Sequence, residues 1–259
     1  MKKLFKMSAV ILFVLIVFSA CGRNESVSGK ITSFPPYGER VVTAIAAGYG
    51  LDSQEDNYLT LFSDNIGAVL NNDAVSGYDS GEVLKSLSDE KTAADIKNAD
   101  AIVVSVGGND FFHRKDIMID ALKNALLHGE GFFPEEVTNI YDEYEKNLSR
   151  IIDEIKNMNP DAYIIVQTVY NPFLKQTLNF SYINVGKTAN RYVTRLNDSI
   201  KNVCKTKNRV FVFDVAPEMN EDAENFYGTD EKLDIHPTKH GHATLARVFT
   251  EKFNGLLKD

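Results

Sequence analysis

Short apolar runs alternate with longer amphipathic segments from about residue 38 to the carboxyl terminus. Four runs rich in β-branched and aromatic residues are typical of buried parallel strands: RVVTAI (40–45), AIVVSV (101–106), AYIIVQTVY (162–170) and RVFVFDV (209–215). Five segments place apolar residues at helical spacing: 57–70, 117–127, 137–158, 185–204 and 242–257. This alternation predicts an α/β fold, a three-layer α/β/α sandwich around a parallel sheet of about five strands.

The amino-terminal segment has the pattern of a bacterial lipoprotein signal. Lysines precede an uncharged apolar run at 9–18, and two small residues stand directly before Cys21. The run is too short to span a bilayer comfortably, so it predicts a cleaved leader at 1–20. Lipid on the Cys21 thiol then anchors a flexible polar tether at 21–37 and a domain at 38–259 outside the cytoplasm, in the bacterial cell envelope. The alternative is an ordinary secretory signal or an uncleaved anchor.

The charge balance narrows the range of partners. The formal net charge is −8, and the predicted leader holds three lysines and no acidic residue, so the mature chain carries −11. An acidic chain disfavours nucleic acid or an anionic membrane surface as the main partner, so membrane attachment depends on the lipid at Cys21. Cleavage leaves Cys204 as the remaining cysteine, which excludes an intramolecular disulfide. Its place on the apolar stripe of a helix predicts a buried structural thiol.

Three motifs fall at the ends of predicted strands or helices. GGND (107–110) follows the strand at 101–106 directly, and DIHP (234–237) lies in the loop after the strand at 209–215. Gly77 lies in AVSGYDSGEVLKSL, just before a short predicted helix. Parallel α/β sheets bind ligands beyond the carboxyl ends of their strands, where these motifs fall. Taken alone, each motif is also explained by a turn glycine, a turn asparagine or a capping histidine.

The order of these motifs resembles that of the SGNH or GDSL hydrolases over most of residues 40–250. The resemblance implies an oxyanion hole completed by Gly77 and by Asn109 of the GGND motif. It also implies a catalytic histidine at His236. Backbone and amide N–H groups stabilise a developing oxyanion, and histidine acts as a general base, so these residue types suit acyl transfer.

The resemblance implies a triad acid and a class of substrate. Asp234 is the favoured acid, although the commonest family pattern places the acid three residues before the histidine, where Leu233 stands; Asp230 is the alternative. The family implies carboxylic ester substrates, either small molecules or acylated lipids and glycans. It implies no cofactor and no metal.

The family nucleophile has no counterpart at the expected position. A Gly-Asp-Ser motif would end the first strand. In the favoured alignment RVVTAI is that strand, AAGYGL is the following turn, and four residues are absent between Ile45 and Ala46. An ungapped alignment puts Val42, Thr43 and Ala44 in place of the motif and makes PPYGER the strand, which proline and glycine disfavour.

Ser53 is the candidate surrogate nucleophile, because GLDS contains an Asp-Ser pair. SQED at 53–56 also matches a helix capping pattern, which favours a structural role for this serine. Three interpretations therefore remain. The chain is a serine ester hydrolase, or an inactive lipoprotein that binds an ester or glycan ligand, or a sequence whose natural form carries the four absent residues.

Two further clusters offer a functional and a structural interpretation. His236, His240 and His242 lie within HPTKHGH, and three imidazoles can ligate zinc. Their spacing fits no common zinc site, so we expect no metal. The FFH segment at 111–113 follows GGND and is a candidate lining for an acyl pocket, although aromatic residues beside a strand end are more often core residues.

Overall fold

The computed structural model describes residues 31, 33–46, 54–128, 133–175, 179–180, 183–227 and 235–257. Within them the strands are β1 (Arg40–Ala46), β2 (Ala68–Asn72), β3 (Ala101–Ser105), β4 (Tyr163–Gln167), β5 (Asn179–Phe180), β6 (Ile183–Asn184) and β7 (Val210–Phe213). The α-helices are α1 (Tyr58–Ile66), α2 (Ser80–Ser86), α3 (Glu90–Asn98), α4 (Gly108–Phe112), α5 (Lys115–His128), α6 (Glu135–Met158), α7 (Val185–Cys204), α8 (Ala216–Glu221) and α9 (Lys239–Leu257). Short 3-10 helices span Gln54–Asp56 and Ala223–Asn225.

Five strands form one parallel sheet in the order β2-β1-β3-β4-β7, while β5 and β6 pair in a separate antiparallel hairpin. The central strand β3 pairs with β1 and β4, so that Ile102 lies between Thr43 and Ile164. Successive strands are added on one side of β1 and then on the other. The crevice at the carboxyl ends of β1 and β3 is therefore the topological switch point, where ligands of such sheets bind.

Helices cover both faces of the sheet and confirm the predicted three-layer α/β/α sandwich. Side chains alternate along each strand, so Ile102 and Val104 join the core beneath α2, α3, α6 and α7. Ala101 and Val103 join the opposite core, beneath α1 and α9. Burial on both faces explains why the central strands are continuous apolar runs rather than alternating ones.

One predicted helix is wrong at its carboxyl end. The spacing predicts a helix over 57–70, but α1 ends at Ile66 and the chain continues as strand β2. Gly67 causes the break, because it adopts φ of 62° and caps the helix through its backbone N–H to Asp64 and Ser63. β2 is an edge strand with Val69 exposed, so its sequence lacks the apolar run that identifies the central strands.

Contacts with the domain reach into the stretch predicted as a tether. Ile31 is buried and Phe34 packs against the core shared with α9. The predicted leader and Cys21 lie outside the described residues. Among the helices that the structure does describe, none is both long enough and apolar enough to cross a membrane.

Candidate active site

A cavity of about 240 Å³ opens at the carboxyl end of the sheet. Ile45, Ser105 and Gln167, which lie at or near the ends of β1, β3 and β4, line its floor. The same cavity is lined by Gly77, Asn109 and His236, three residues far apart in the chain. The structure therefore brings together three of the predicted site residues at the topological switch point.

Gly77 and Asn109 lie on two loops that are joined directly. Gly77 adopts φ of 90°, a left-handed conformation that favours glycine, in the loop before α2. The Asn109 side-chain amide donates to the carbonyl oxygen of Tyr78 over 3.0 Å. An amide nitrogen carries two hydrogens, so this bond leaves one N–H for a ligand in the cavity that Asn109 lines.

Asp79 adds a second connection between the same loops. It caps α2 in a reciprocal capping box with Glu82, and its other carboxylate oxygen lies 3.3 Å from Nδ1 of His113, just after α4. Burial acts to raise the pKa of Asp79, but the hydrogen bonds from the Glu82 backbone and from His113 outweigh it, so the net shift is downward. Asp79 is therefore held as a carboxylate beside Gly77.

Ser80 makes the third connection, to the buried Asp110 of the GGND motif. Burial raises the pKa of Asp110, against the hydrogen bonds that Ser80 donates to it. At the start of the same loop, Gly107 has φ of 130°, and a side chain there would meet the ring of Tyr144 at 3.0 Å. The glycine is therefore needed both for its backbone conformation and for close packing.

The loop before α9 holds His236 at the cavity through contacts of its neighbours. Pro237 forms an isolated bridge with Phe226, and the Thr238 backbone N–H donates to the Asn225 carbonyl over 2.9 Å. Thr238 also accepts a bond from the backbone of Gly241 in the first turn of α9. A side chain at Gly241 would clash with the Asn225 carbonyl. The glycine therefore allows the first turn of α9 to pack directly against the backbone of Asn225.

The three histidines of that motif face different surroundings. His236 lines the cavity, whereas His240 is exposed, with Nε2 3.1 Å from the carboxylate of Asp222. His242 is buried, and its Nδ1 accepts a hydrogen bond from the backbone N–H of Tyr58 over 3.2 Å. Each imidazole thus has a separate role in the structure.

The two phenylalanines after GGND have different positions. Phe111 packs in the core, with its ring 4.9 Å from that of Tyr141. Phe112 and Val75 both line the cavity, and the two residues are 46% and 47% exposed. Val75 and Phe112 are called the apolar rim below. The acyl-pocket interpretation is therefore compatible with Phe112 but not with Phe111.

The sequence patterns do not identify two polar residues of the cavity, Tyr58 and Gln167. The Tyr58 hydroxyl donates to Oε1 of Gln167 over 2.8 Å, and both residues line the cavity. Burial raises the pKa of Tyr58 strongly, so the phenol stays protonated as a donor. The strand predicted over 162–170 extends past the end of β4 at Gln167. The prediction therefore places Gln167 inside a strand rather than at the strand end, where polar residues indicate a site.

The end of β1 bears on the missing nucleophile. Val42, Thr43 and Ala44 are buried in the middle of β1, and the proline-glycine segment before Arg40 lies outside any strand. The ungapped alignment is therefore wrong about the strand. Segment 47–53, which contains the candidate surrogate Ser53, lies outside the described residues, as do both candidate acids, Asp230 and Asp234.

Three serines among the described residues line the cavity: Ser76, Ser86 and Ser105. Ser86 donates its hydroxyl to the carbonyl of Val83 over 2.9 Å, and Ser105 shares a hydrogen bond with the Tyr58 hydroxyl.

Cys204 is buried in the core away from this cavity, and burial raises the pKa of its thiol to about 12. Both observations fit the structural role predicted for this cysteine.

Comparison with known proteins agrees with this architecture. YpmR of Bacillus subtilis (strain 168), named as an uncharacterised protein, is 29% identical over 190 residues, which cover 73% of this chain and 68% of that protein. The lipase Lip_vut3 from a goat rumen metagenome has a similar fold, with a TM-score of 0.62 at 17% identity over 82% of this chain and 96% of that one. Phospholipase A1 from Streptomyces albidoflavus NA297 gives a TM-score of 0.59 at 16% identity over 82% and 98%. The model of the GDSL-like Lipase/Acylhydrolase family matches residues 45–244, and the chain belongs to that family.

Proposed function

We propose that this chain hydrolyses carboxylic esters by serine acyl transfer in the cavity at the carboxyl end of the sheet. One observation carries the proposal: Gly77, Asn109 and His236 line a single cavity. Family membership supports the reaction class. The cavity is open and is lined by both polar and apolar residues, as a site for an ester requires.

The proposed chemistry needs a hydroxyl, a base and an oxyanion hole. A serine oxygen attacks the ester carbonyl carbon while His236 accepts the hydroxyl proton, and the tetrahedral oxyanion receives N–H donors from Asn109 and the Gly77 backbone. The C–O bond to the alcohol then breaks, and the protonated His236 returns the proton to the leaving oxygen. Water repeats the sequence on the acyl-serine and releases the acid. Asp234 is proposed to orient His236, with Asp230 as the alternative.

Binding of an ester or a glycan without turnover is a second candidate function. The specific observation in its favour is that no serine, threonine or cysteine occurs between Ile45 and Ser53. A cavity that keeps Asn109 and His236 can still hold an ester or a glycan.

Fluorophosphonate labelling of the purified chain, with the modified peptide mapped by mass spectrometry, separates the two functions. A label on Ser53 or on a cavity serine supports hydrolysis, and its loss in His236→Ala would support the assigned base. A folded chain that takes no label, but binds short-chain esters by calorimetry, would instead support the binding function.

Insertion of Gly-Asp-Ser-Ile between Ile45 and Ala46 tests the alignment directly. Ile45 lines the cavity, so the inserted serine would follow the end of β1 at the switch point. We expect hydrolysis of p-nitrophenyl acetate to rise by at least about 100-fold, a modest share of what nucleophilic catalysis supplies. The matched control inserts Gly-Asp-Ala-Ile, which has the same length without the hydroxyl. Equal activity of the two insertion variants would contradict the proposed reaction.

We also propose that lipid on Cys21 anchors the chain in the cell envelope, with the ester-binding domain outside the cytoplasm. The amino-terminal sequence pattern supports this location. Cys21→Ser is expected to move the protein from the membrane fraction to the soluble fraction. Membrane sedimentation of both forms would contradict lipid anchoring through this residue.

A further inference from the structure

Gln167 brings a buried side-chain amide to the cavity. It is the last residue of β4, lines the cavity and is only 4% exposed. Its Oε1 accepts a hydrogen bond from the Tyr58 hydroxyl over 2.8 Å, but in the part of the chain that the structure describes nothing accepts a hydrogen bond from its Nε2. Buried polar groups are nearly always hydrogen-bonded, so the two N–H groups of this amide are donors for a molecule in the cavity.

Two hydroxyl groups determine which end of that amide accepts and which donates. Burial raises the pKa of Tyr58 strongly, and a hydrogen bond from Ser105 acts in the opposite direction, as a bond donated to the phenol oxygen does. The Tyr58 oxygen is therefore the acceptor for Ser105, and the phenol keeps its own hydrogen for Oε1 of Gln167. The oxygen end of the amide is fixed against Tyr58, which leaves the nitrogen end for the cavity.

Tyr170 supplies a second uncharged donor, three residues after Gln167. It lines the cavity, and burial raises the pKa of its phenol, so the hydroxyl stays protonated. Its ring lies 5.3 Å from that of Phe226, which bridges to Pro237, the residue after His236. Tyr170 therefore joins Gln167 to the loop that carries His236, and Gln167 and Tyr170 are called the polar wall below.

The apolar rim belongs to different loops. Val75 precedes Gly77 in the loop after β2, and Phe112 follows Asn109 in α4. In the proposed reaction the protonated His236 gives its proton to the leaving oxygen, so the alcohol portion of the ester lies on the side of His236. The acyl portion then extends toward the apolar rim, and the alcohol portion extends toward the polar wall.

The charge of the lining limits what the alcohol portion can be. The described residues of the cavity lining include neither lysine nor arginine, so they offer an anion no permanent positive charge. The sole carboxylate among them, Asp73, is almost wholly buried and paired with Lys91. The net charge of −8 on the chain further opposes an anionic group, such as a phosphorylated headgroup. Uncharged donors instead suit the hydroxyl and ether oxygens of a neutral alcohol.

We propose that Gln167 determines specificity by donating a hydrogen bond to an oxygen of a neutral, hydroxylated alcohol portion, that of a sugar or another polyol. Tyr170 is the second donor, and Tyr58 is a positioning residue that acts through Oε1 of Gln167. The inference rests on the proposed ester hydrolysis and specifies its substrate as an ester of a polyol. An alkyl ester without hydroxyl groups leaves the buried Gln167 amide unpaired, and a site built to bond a substrate hydroxyl discriminates strongly against an analogue that lacks it.

Binding can be measured without turnover in the His236→Ala chain, which lacks the proposed base. NMR titration compares 6-O-acetylglucose with cyclohexylmethyl acetate, an ester of similar ring size without hydroxyl groups. Gln167→Leu should weaken binding of the sugar ester by about tenfold and leave binding of the alkyl ester unchanged or tighter, because only the sugar ester loses a hydrogen bond. An affinity for the sugar ester that does not change in Gln167→Leu would overturn the proposal.

Further variants separate specificity from damage to the fold. Gln167→Leu combined with Tyr58→Phe removes the hydroxyl that the single change leaves without an acceptor, and it should show the same loss on the sugar ester. Tyr58→Phe alone keeps the amide but releases its orientation, so roughly a threefold loss is expected on the sugar ester and none on the alkyl ester. Asn98→Leu, at an exposed amide outside the cavity lining, is the matched control. Glycerol monoacetate, titrated in parallel, distinguishes an acyclic polyol from a sugar.

Hydrolysis by the Gly-Asp-Ser-Ile insertion variant tests Gln167 during turnover. Gln167→Leu should lower kcat/KM for 6-O-acetylglucose by about tenfold, while that for cyclohexylmethyl acetate changes by less than about twofold. Equal losses on the two esters would overturn the specificity role, since they indicate a general effect on the site. Cleavage of neither ester, with the expected difference in binding, would overturn the ester hydrolysis and leave the polar wall as a binding site for polyol esters.

Discussion

The hydroxyl of Ser80 donates to Oδ1 of Asp110 over 2.5 Å, and the Ser80 backbone N–H donates to Oδ2 over 3.1 Å. Asp110 is 3% exposed, and Asn147 on α6 donates to the same hydroxyl over 3.0 Å. This buried pair joins the loop that carries Gly77 to the loop that carries Asn109. The relative position of the two oxyanion donors therefore depends on a residue pair that touches neither donor.

Asp110→Asn should reduce catalysis through positioning. An asparagine oxygen can accept one of the two Ser80 bonds, but its amide cannot accept the other, so a buried donor loses its partner at a cost of about 1–3 kcal/mol. In the Gly-Asp-Ser-Ile insertion variant we expect kcat to fall roughly tenfold, with KM nearly unchanged, since about 1.4 kcal/mol of transition-state stabilisation is a factor of ten. Steady-state kinetics and urea unfolding measure the two effects.

A structural role alone predicts a different result for Asp110→Asn. Loss of stability without any change in kcat would contradict the positioning role. Asp116→Asn is the matched control, because this aspartate is exposed at the start of α5, outside the cavity lining. Combining Asp110→Asn with Ser80→Ala should cost less in kcat than the sum of the single changes, because both remove the same connection.

Asn109→Ala should lower kcat with little effect on KM. The amide is proposed to donate to charge that develops only in the transition state, and removal of one oxyanion donor typically costs about 100- to 1,000-fold in rate. The measurement is p-nitrophenyl acetate hydrolysis by the insertion variant with and without Asn109→Ala. Asn98→Ala is the control, since Asn98 is an exposed amide at the other end of the sheet. A rise in KM with unchanged kcat would assign Asn109 to substrate binding instead.

Phe112→Ser should change the preference for acyl chain length. Phe112 is exposed at the cavity, and each methylene of an acyl chain buried there contributes about 0.8 kcal/mol. We expect kcat/KM of the insertion variant to fall by roughly three- to tenfold for a hexanoate ester and to change little for acetate. Ile119→Ser is the matched control, because Ile119 is exposed to a similar degree but lies outside the cavity. An equal loss on both esters would argue against acyl contact.

The sequence alone predicts the central strands of the sheet and the proximity of the three motifs. Buried central strands are continuous apolar runs, so β1 and β3 are visible without tertiary information. Because these strands are parallel, their carboxyl ends meet, which is why Gly77, Asn109 and His236 could be expected at one place. None of these inferences requires knowledge of individual contacts.

Other features depend on tertiary contacts that leave little trace in local sequence. β2 was hidden within a helical pattern because Gly67 alone ends α1, and the strand lies at an edge where apolar residues are sparse. The bond between Tyr78 and Asn109 involves a backbone carbonyl, which has no sequence signal. The separation of Phe111 from Phe112 arises because adjacent residues of α4 face different directions.

Lys156 gives a prediction about pH and stability. Its ammonium group, half-buried at the end of α6, donates to the carbonyl of Ala162 over 2.6 Å. Burial, with repulsion from Arg209, lowers the pKa of Lys156 from 10.5 to about 8. Below pH 8 both the folded and the unfolded chain bind this proton; above it the folded chain releases the proton first.

Since the unfolded chain then holds more protons, this group makes the free energy of unfolding rise with pH between about 8 and 10.5. Lys156→Met keeps the length of the side chain and removes the charge. The free energy of unfolding of the wild type should therefore rise relative to that of the variant as the pH increases across this window. Urea unfolding at pH 7.5, 9 and about 10.5 measures the difference. Lys146→Met, at an exposed position on the same helix, is the control. A difference between wild type and Lys156→Met that stays constant over the window would show that burial of this lysine does not disfavour its charge.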